Sequence, residues 1–101
     1  MDAMRVQKVV IDVIRDLQVA TGEMCPPLKG SDVPSKVIET FDSTVWPLAT
    51  TRIARALNVT IPNHVHIFGG ERGKPLLTIK QTSQMVCDKH TSRADDLKRA
   101  A

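Results

Sequence analysis

The chain has 101 residues, of which 42% are apolar and 25% are charged, and its net charge is +3. This length predicts one domain with a modest core and excludes a second lobe or a deep substrate cleft. The mild positive charge does not by itself predict a nucleic-acid-binding protein, because such proteins concentrate Lys and Arg on one face. Aromatic residues make up 3% of the chain, so the core must be largely aliphatic, which favours packed helices over a β-sandwich.

The first predicted element is an amphipathic helix over residues 2–20. Asp2 is its predicted N-cap, and Thr21-Gly22 is its predicted stop. Apolar residues recur at helical spacing and form one continuous stripe: Val6, Val9, Val10, Val13, Ile14 and Leu17.

A long irregular connection is predicted over residues 22–41. This stretch holds Gly22, Pro26, Pro27, Gly30 and Pro34, which is too broken for a long helix. Loops of this length in small domains are usually functional or wrap the core. A short helical turn is expected within residues 35–40.

The second main helix is expected to begin within a few residues of Ser43. Pro47 limits the choice, because proline is tolerated in the first turn of a helix but not in its interior. Arg52 and Arg55 are predicted to point outward. The predicted buried positions are Val45, Ala49, Ile53, Ala56 and Leu57. The helical spacing of apolar residues breaks at residues 58–60, and the chain is expected to change direction at Ile61-Pro62.

The last part of the chain predicts a short apolar segment, a turn and a third main helix. The apolar segment holds Val65, Ile67 and Phe68, and the turn is rich in glycine. Thr78 and Gln81 form a capping-box signature that opens the helix. Its predicted inner face carries Ile79, Thr82, Met85 and Val86.

These elements predict an all-α fold with three main helices, a short fourth segment and a long loop between the first two helices. We assign residues 1–90 to a single domain. Residues 91–101 are expected to form a charged C-terminal tail or a frayed helical extension.

Ser43 is the candidate functional residue because it follows the long loop and precedes a helix. The free N–H groups and the dipole at a helix start favour a phosphate, so a serine there can carry a phosphodiester. The alternative is an ordinary N-cap, in which Ser43 or Asp42 accepts hydrogen bonds from the first-turn amides.

The wider pattern resembles the acyl carrier protein family. Phe41-Asp42-Ser43, the helix that follows and Val59-Thr60-Ile61-Pro62 are similar to the family's Asp-Ser-Leu motif, second helix and Ile-Pro pair, with the same spacing. The resemblance covers residues 4–90 as architecture and 41–62 as motifs. It implies an acyl-carrier-like bundle and a protein that is not an enzyme. It also implies that a separate phosphopantetheinyl transferase attaches 4′-phosphopantetheine to Ser43, using coenzyme A and Mg²⁺.

The resemblance also implies roles for the residues around Ser43. Asp42 would help to present the serine and the metal to the transferase, while Thr44, Val45 and Trp46 would border the arm. Further partners would be acyl-loading and acyl-accepting enzymes. Trp46 is either a core anchor or a partner-facing aromatic, and we favour the second interpretation.

Three apolar residues are candidates to line an acyl groove, in which each buried methylene contributes about 0.8 kcal/mol. They are Ile61, Val65 and Phe68. Ordinary core packing is the alternative for these three residues, and it is the interpretation that we favour.

The sequence also departs from the family pattern. Thr44 stands where the family usually has Leu, and the second helix carries Arg52 and Arg55 where the family is typically acidic. Because carrier proteins meet basic partner surfaces, the reversed charge should exclude general fatty-acid synthesis enzymes. We therefore predict a specialised carrier with dedicated partners, in a lipid or secondary-metabolite pathway.

Two other functions remain open. One is a small helical interaction or nucleic-acid-binding module that uses Arg52 and Arg55, whose binding would weaken steeply with salt. The other is a carrier fold that is no longer modified and serves as a scaffold.

Other signals are weaker. His64, His66 and the distant His90 lack the spacing of a metal site. The run from Gly69 to Lys74 lacks the Lys-Ser/Thr ending of a phosphate-binding loop.

The cysteines and the apolar stretches indicate in which cellular compartment the protein is expected. Cys25 and Cys87 are interpreted as two reduced thiols, with a disulfide as the alternative. No signal peptide or membrane span is predicted, and we expect a cytoplasmic protein.

Overall fold

A computed structural model describes residues 2–62 and 64–92, and their secondary structure is mostly helical. In chain order the elements are α1 (Ala3–Ala20), α2 (Pro34–Val37), α3 (Trp46–Leu57), β1 (Val59–Thr60), a 3₁₀ helix (Glu71–Gly73), α4 (Ile79–Lys89) and β2 (Thr91–Ser92). The all-α class predicted from the sequence is confirmed. None of the described helices is both long and apolar enough to cross a membrane.

The first helix, α1, has the predicted ends and the predicted buried stripe. The Asp2 carboxylate accepts a hydrogen bond from the Met4 amide at 3.0 Å, and the helix stops at Thr21, before Gly22 with a φ of 80°. Its apolar face packs against both α3 and α4, which places α1 at the centre of the bundle. The buried apolar residues of α1 are Val6, Val10, Val13, Ile14 and Leu17.

The connection from α1 to α3 is irregular but fixed to the core. It contains the short helix α2, whose position agrees with the turn expected within residues 35–40. Pro34, Ile38 and Phe41 are all buried. The loop carbonyls of Gly30 and Asp32 accept hydrogen bonds at 2.8 Å from the first amides of α4. Amides in a first turn have no partner within their own helix, so the loop caps α4.

The predicted second main helix is α3. Pro47 lies in its first turn, and Arg52 and Arg55 are exposed as predicted. One prediction was wrong: Ala56 is exposed, and Ala54 is buried in its place. The buried arc is rotated toward Ala54 because the segment after the helix folds back along that side.

Two short strands lie beside α3 and α4. Asn58 ends α3 in the left-handed conformation, with a φ of 55°, and residues 59–60 then pair antiparallel with residues 91–92. The sequence analysis did not anticipate this pairing. The rest of the expected charged tail, residues 93–101, lies outside the described residues.

The final helix, α4, begins with the predicted capping box. The Thr78 hydroxyl accepts from the Gln81 amide at 3.1 Å, and the Gln81 side chain accepts from the Thr78 amide at 2.9 Å. Ile79, Thr82 and Val86 are buried as predicted. Between β1 and α4, the one helical element among the described residues is the 3₁₀ turn at residues 71–73.

Candidate functional site

Ser43 lies on an exposed turn that leads directly into α3. The helix begins three residues later, at Trp46, which confirms the expected start near Ser43. The Val45 amide donates to the Asp42 carbonyl at 3.0 Å and closes the turn. Within residues 2–62 and 64–92, no side chain caps this end of α3, so Ser43 is not its N-cap. The serine side chain faces solvent at the entry to a helix.

Asp42 fixes the shape of this turn. Its carboxylate accepts hydrogen bonds from both the amide and the hydroxyl of Thr44, and the amide distance is 3.0 Å. These bonds, that of the hydroxyl first, hold the pKa of the Asp42 carboxyl below its ordinary value. The carboxylate therefore stays ionised beside Ser43, and its bonds to Thr44 leave the serine hydroxyl out of the turn's own hydrogen-bond network.

A cleft of about 670 Å³ extends from Ser43 along one side of α3. One wall is the side of α3 that runs from Trp46 to Arg55, and the other is made by residues between Val59 and Arg72. The two walls come from adjacent parts of the chain, because the sharp left-handed end of α3 at Asn58 turns the backbone back on the helix. The structure thus joins Ser43 to a groove that the sequence had only suggested.

Trp46 lies at the base of this cleft and contacts the core. Its ring packs against Phe68 with centroids 6.0 Å apart, and Phe68 meets Phe41 edge-on at 5.2 Å. The indole N–H is buried and has no hydrogen-bond partner in the described part of the chain. Trp46 therefore packs against the core and also lines the cleft, and its contact with a partner stays a prediction.

The three residues considered for an acyl groove all line the cleft, but two of them belong to the core. Ile61 is 8% exposed and Phe68 is 3% exposed, which favours the packing interpretation for both. Val65 is half-buried and lies on the cleft wall. The apolar wall presented to a ligand is thus narrower than these three residues suggested.

The charged residues of the cleft are mainly basic. Arg55 comes from α3 and Arg72 from the 3₁₀ turn, while Glu71 faces His66 at 3.7 Å. The sequence analysis missed Arg72. The surrounding glycines indicated a turn, but no local signal showed that this turn would fold back beside α3.

A second hollow of about 440 Å³ lies on the other side of the segment 64–77. Leu76, Leu77 and Met85 contribute apolar surface, and Lys74 and Lys89 contribute charge. It does not include Ser43, although Val65, His66, Gly69 and Glu71 line both hollows.

Comparison of the chain with protein-family models, with curated proteins and with solved structures gave no match. The candidate site is therefore interpreted from its own chemistry and geometry, together with the motif resemblance described above.

Proposed function

We propose that this protein is an acyl carrier protein that bears 4′-phosphopantetheine on Ser43. The observation that carries the proposal is the exposed Ser43 hydroxyl on a turn at the entry to α3, beside a cleft. An acceptor hydroxyl must be accessible to a second protein, and the turn built by Asp42 and Thr44 meets that need.

The proposed modification uses a separate transferase. The Ser43 oxygen displaces adenosine bisphosphate from coenzyme A and forms a phosphodiester, and its proton passes to the transferase. Once attached, the arm supplies a terminal thiol that holds an acyl group as a thioester. Asp42 supplies an ionised carboxylate on the residue before Ser43, and this carboxylate would help to orient Mg²⁺ of the transferase.

The cleft next to Ser43 gives the arm a surface to rest on. Trp46 and Val65 provide apolar contacts, and Arg55 and Arg72 provide positive charge for an anionic group. In this proposal the bundle is an acyl-carrier-like one, with a long loop before the modified serine. A carrier that is loaded from coenzyme A would act in the cytoplasm.

The test is modification of the purified protein. Incubation with coenzyme A, Mg²⁺ and a promiscuous phosphopantetheinyl transferase should add one pantetheinyl group, measured by intact mass. Ser43→Ala should abolish the adduct. Ser31→Ala is the matched control because Ser31 is also exposed, in the long loop, and this variant should be modified fully. An unmodified wild-type chain would contradict the proposal.

A further inference from the structure

The second hollow, of about 440 Å³, lies between the segment 64–77 and one flank of α4. Backbone hydrogen bonds hold the segment in place: the Leu77 amide donates to the Phe68 carbonyl at 2.9 Å, and the Gly70 amide donates to the Pro75 carbonyl at 3.2 Å. The hollow is therefore formed by the fold itself and does not depend on the long side chains at its rim. Its volume falls in the range of about 300–1,000 Å³ that is usual for small-molecule sites.

The apolar surface of the second hollow is only partly buried. Leu76 and Leu77 come from the segment and Met85 comes from α4, and each of the three keeps part of its surface exposed. Apolar surface in a concave site gains free energy when an apolar ligand covers it. Because methionine adapts its shape to an irregular neighbour, this surface favours a flexible hydrocarbon chain over a rigid one.

The polar groups of the second hollow are mainly hydrogen-bond donors. Gln81, Met85 and Lys89 follow one another at intervals of four, so they lie along one face of α4. The Gln81 side-chain oxygen accepts from the Thr78 amide at 2.9 Å, and among the described residues the Gln81 side-chain N–H groups have no acceptor. An amide donor therefore stands at one end of this line and an ammonium group at the other.

The charge of the second hollow is positive and is not neutralised within the described part of the chain. Lys74 on the segment and Lys89 on α4 are both exposed, and neither forms an ion pair with a described residue. The one carboxylate among the lining residues is that of Glu71, which faces His66 at 3.7 Å. Since two ammonium groups stand beside the apolar surface, the complementary ligand carries an anionic head group.

We propose that the second hollow is a binding site for a free hydrocarbon chain that ends in a carboxylate or a phosphate monoester. The chain covers Leu76, Leu77 and Met85, and the ammonium groups of Lys74 and Lys89 neutralise the head group at the rim. The inference goes beyond the proposed carrier function, because the hollow does not include Ser43 and the ligand is not attached covalently.

The test is an NMR titration of the whole, unmodified, isotopically labelled chain, in which amide chemical shifts give Kd and locate the ligand. Decanoate and decyl phosphate test the two head groups. Decanol tests the same chain without charge, and hexanoate tests the carboxylate on a shorter chain. Binding of decanoate alone would identify a carboxylate site, and binding of decyl phosphate alone would identify a phosphate site.

We expect at least one of the two anionic decyl probes to bind with a Kd below about 1 mM and at least about fivefold more tightly than decanol, as two exposed charge contacts allow. Hexanoate should bind at least about tenfold more weakly than decanoate, because each fully buried methylene is worth about fourfold in Kd. The largest shifts should fall on Leu76, Leu77 and Met85.

The charge contacts are tested with Lys74→Gln/Lys89→Gln. This variant should weaken binding of the anionic probes at least about fivefold and leave decanol unchanged. Lys36→Gln/Lys80→Gln is the matched control, because both of its lysines are exposed and lie outside the hollow, and it changes the net charge equally. The control should bind every probe as the wild type does.

The apolar contacts are tested with Met85→Gln, which keeps the length of the side chain and should weaken binding of all four probes. Met24→Gln is its control, since Met24 is 92% exposed and lies outside the hollow, and it should have no effect. Thermal unfolding checks that each variant is folded. The lysine variants change only exposed side chains, so they decide the question if Met85→Gln unfolds.

Several results would overturn the inference. They are a Kd above about 1 mM for both anionic decyl probes, decanol binding as tight as theirs, and equal weakening in the two double-lysine variants. Ser43→Ala should bind as the wild type does, and weaker binding by this variant would place the ligand in the cleft beside Ser43 instead. Loading of Ser43 by a transferase is measured separately, so failure of the carrier function leaves this site standing, and the reverse holds as well.

Discussion

Thr82 is fully buried on α4, and its hydroxyl has no hydrogen-bond partner among the residues that the structure describes. Its neighbour Ser83 is also buried, but the Ser83 hydroxyl donates to the Ile79 carbonyl at 2.8 Å. A buried polar group without a partner costs about 1–3 kcal/mol. The two adjacent hydroxyls therefore differ in what they contribute to stability.

We expect Thr82→Val to raise the free energy of unfolding by about 1 kcal/mol, because it keeps the shape of the side chain and removes the unpaired hydroxyl. Urea denaturation measures the change. Thr82→Ala is the control, since it removes a methyl group as well and should lower stability by leaving a small cavity. A Thr82→Val protein that is less stable than the wild type would show that the hydroxyl is satisfied in solution.

Single residues were predictable from sequence where the signal is local. Periodicity indicated that Thr82 is buried, and the helix-entry pattern indicated that Ser43 is exposed next to a helix. Whether a buried hydroxyl finds a partner depends on the neighbouring elements, so the state of Thr82 was not predictable. The wrong prediction for Ala56 has the same cause. Ala54 is buried in its place because the residues after α3 cover that side of the helix, and the sequence of α3 alone does not show which side is covered.

At the scale of elements, the turn between β1 and α4 depends on one glycine. Gly69 has a φ of 79°, and a Cβ atom there would lie 2.6 Å from the Pro75 carbonyl oxygen and 2.9 Å from Leu77. Gly73 has the same φ of 79°, but a Cβ atom there would meet nothing within 4 Å. The two glycines share a positive φ and differ in their surroundings, which makes them a matched pair.

We expect Gly73→Ala to cost about 1 kcal/mol, the strain of a left-handed alanine. Gly69→Ala should cost at least about 2 kcal/mol, since the clash with Pro75 and Leu77 adds to the same strain. The measurement is urea denaturation of both variants beside the wild type. Equal losses would mean that the segment from Phe68 to Leu77 opens at little cost, contrary to the close approach seen here.

Whole elements were predicted well where they are long or capped. The apolar stripe of α1 and the capping box of α4 marked both helices, because each signal lies within one helix. The pairing of β1 with β2 carries no such signal, since two-residue strands are too short for a periodic pattern. The loop carbonyls that cap α4 were equally unpredictable, because backbone groups leave no mark on the sequence.

At the scale of the whole molecule, the long loop is the element that links the core to the candidate site. Its backbone caps α4, and its buried residue Phe41 lies directly before Asp42 and Ser43. The ring of Phe41 meets Phe68, which in turn supports Trp46 at the base of the cleft. The packing of the core and the position of Ser43 are therefore linked through the contacts of Phe41, Phe68 and Trp46.

These contacts predict that the local packing of Phe41, and not only the global stability of the fold, affects the loading of Ser43. Phe41→Leu should lower the free energy of unfolding by about 1–2 kcal/mol, because it removes the aromatic pair and some buried volume. It should also slow the loading of Ser43 by a transferase, since the turn loses its anchor. Ile14→Val, a buried change on α1, should cost about 0.5–1.5 kcal/mol and leave loading unchanged. Unfolding in urea and intact mass measure the two effects, and equal slowing in both variants would mean that loading follows global stability and not the packing of Phe41.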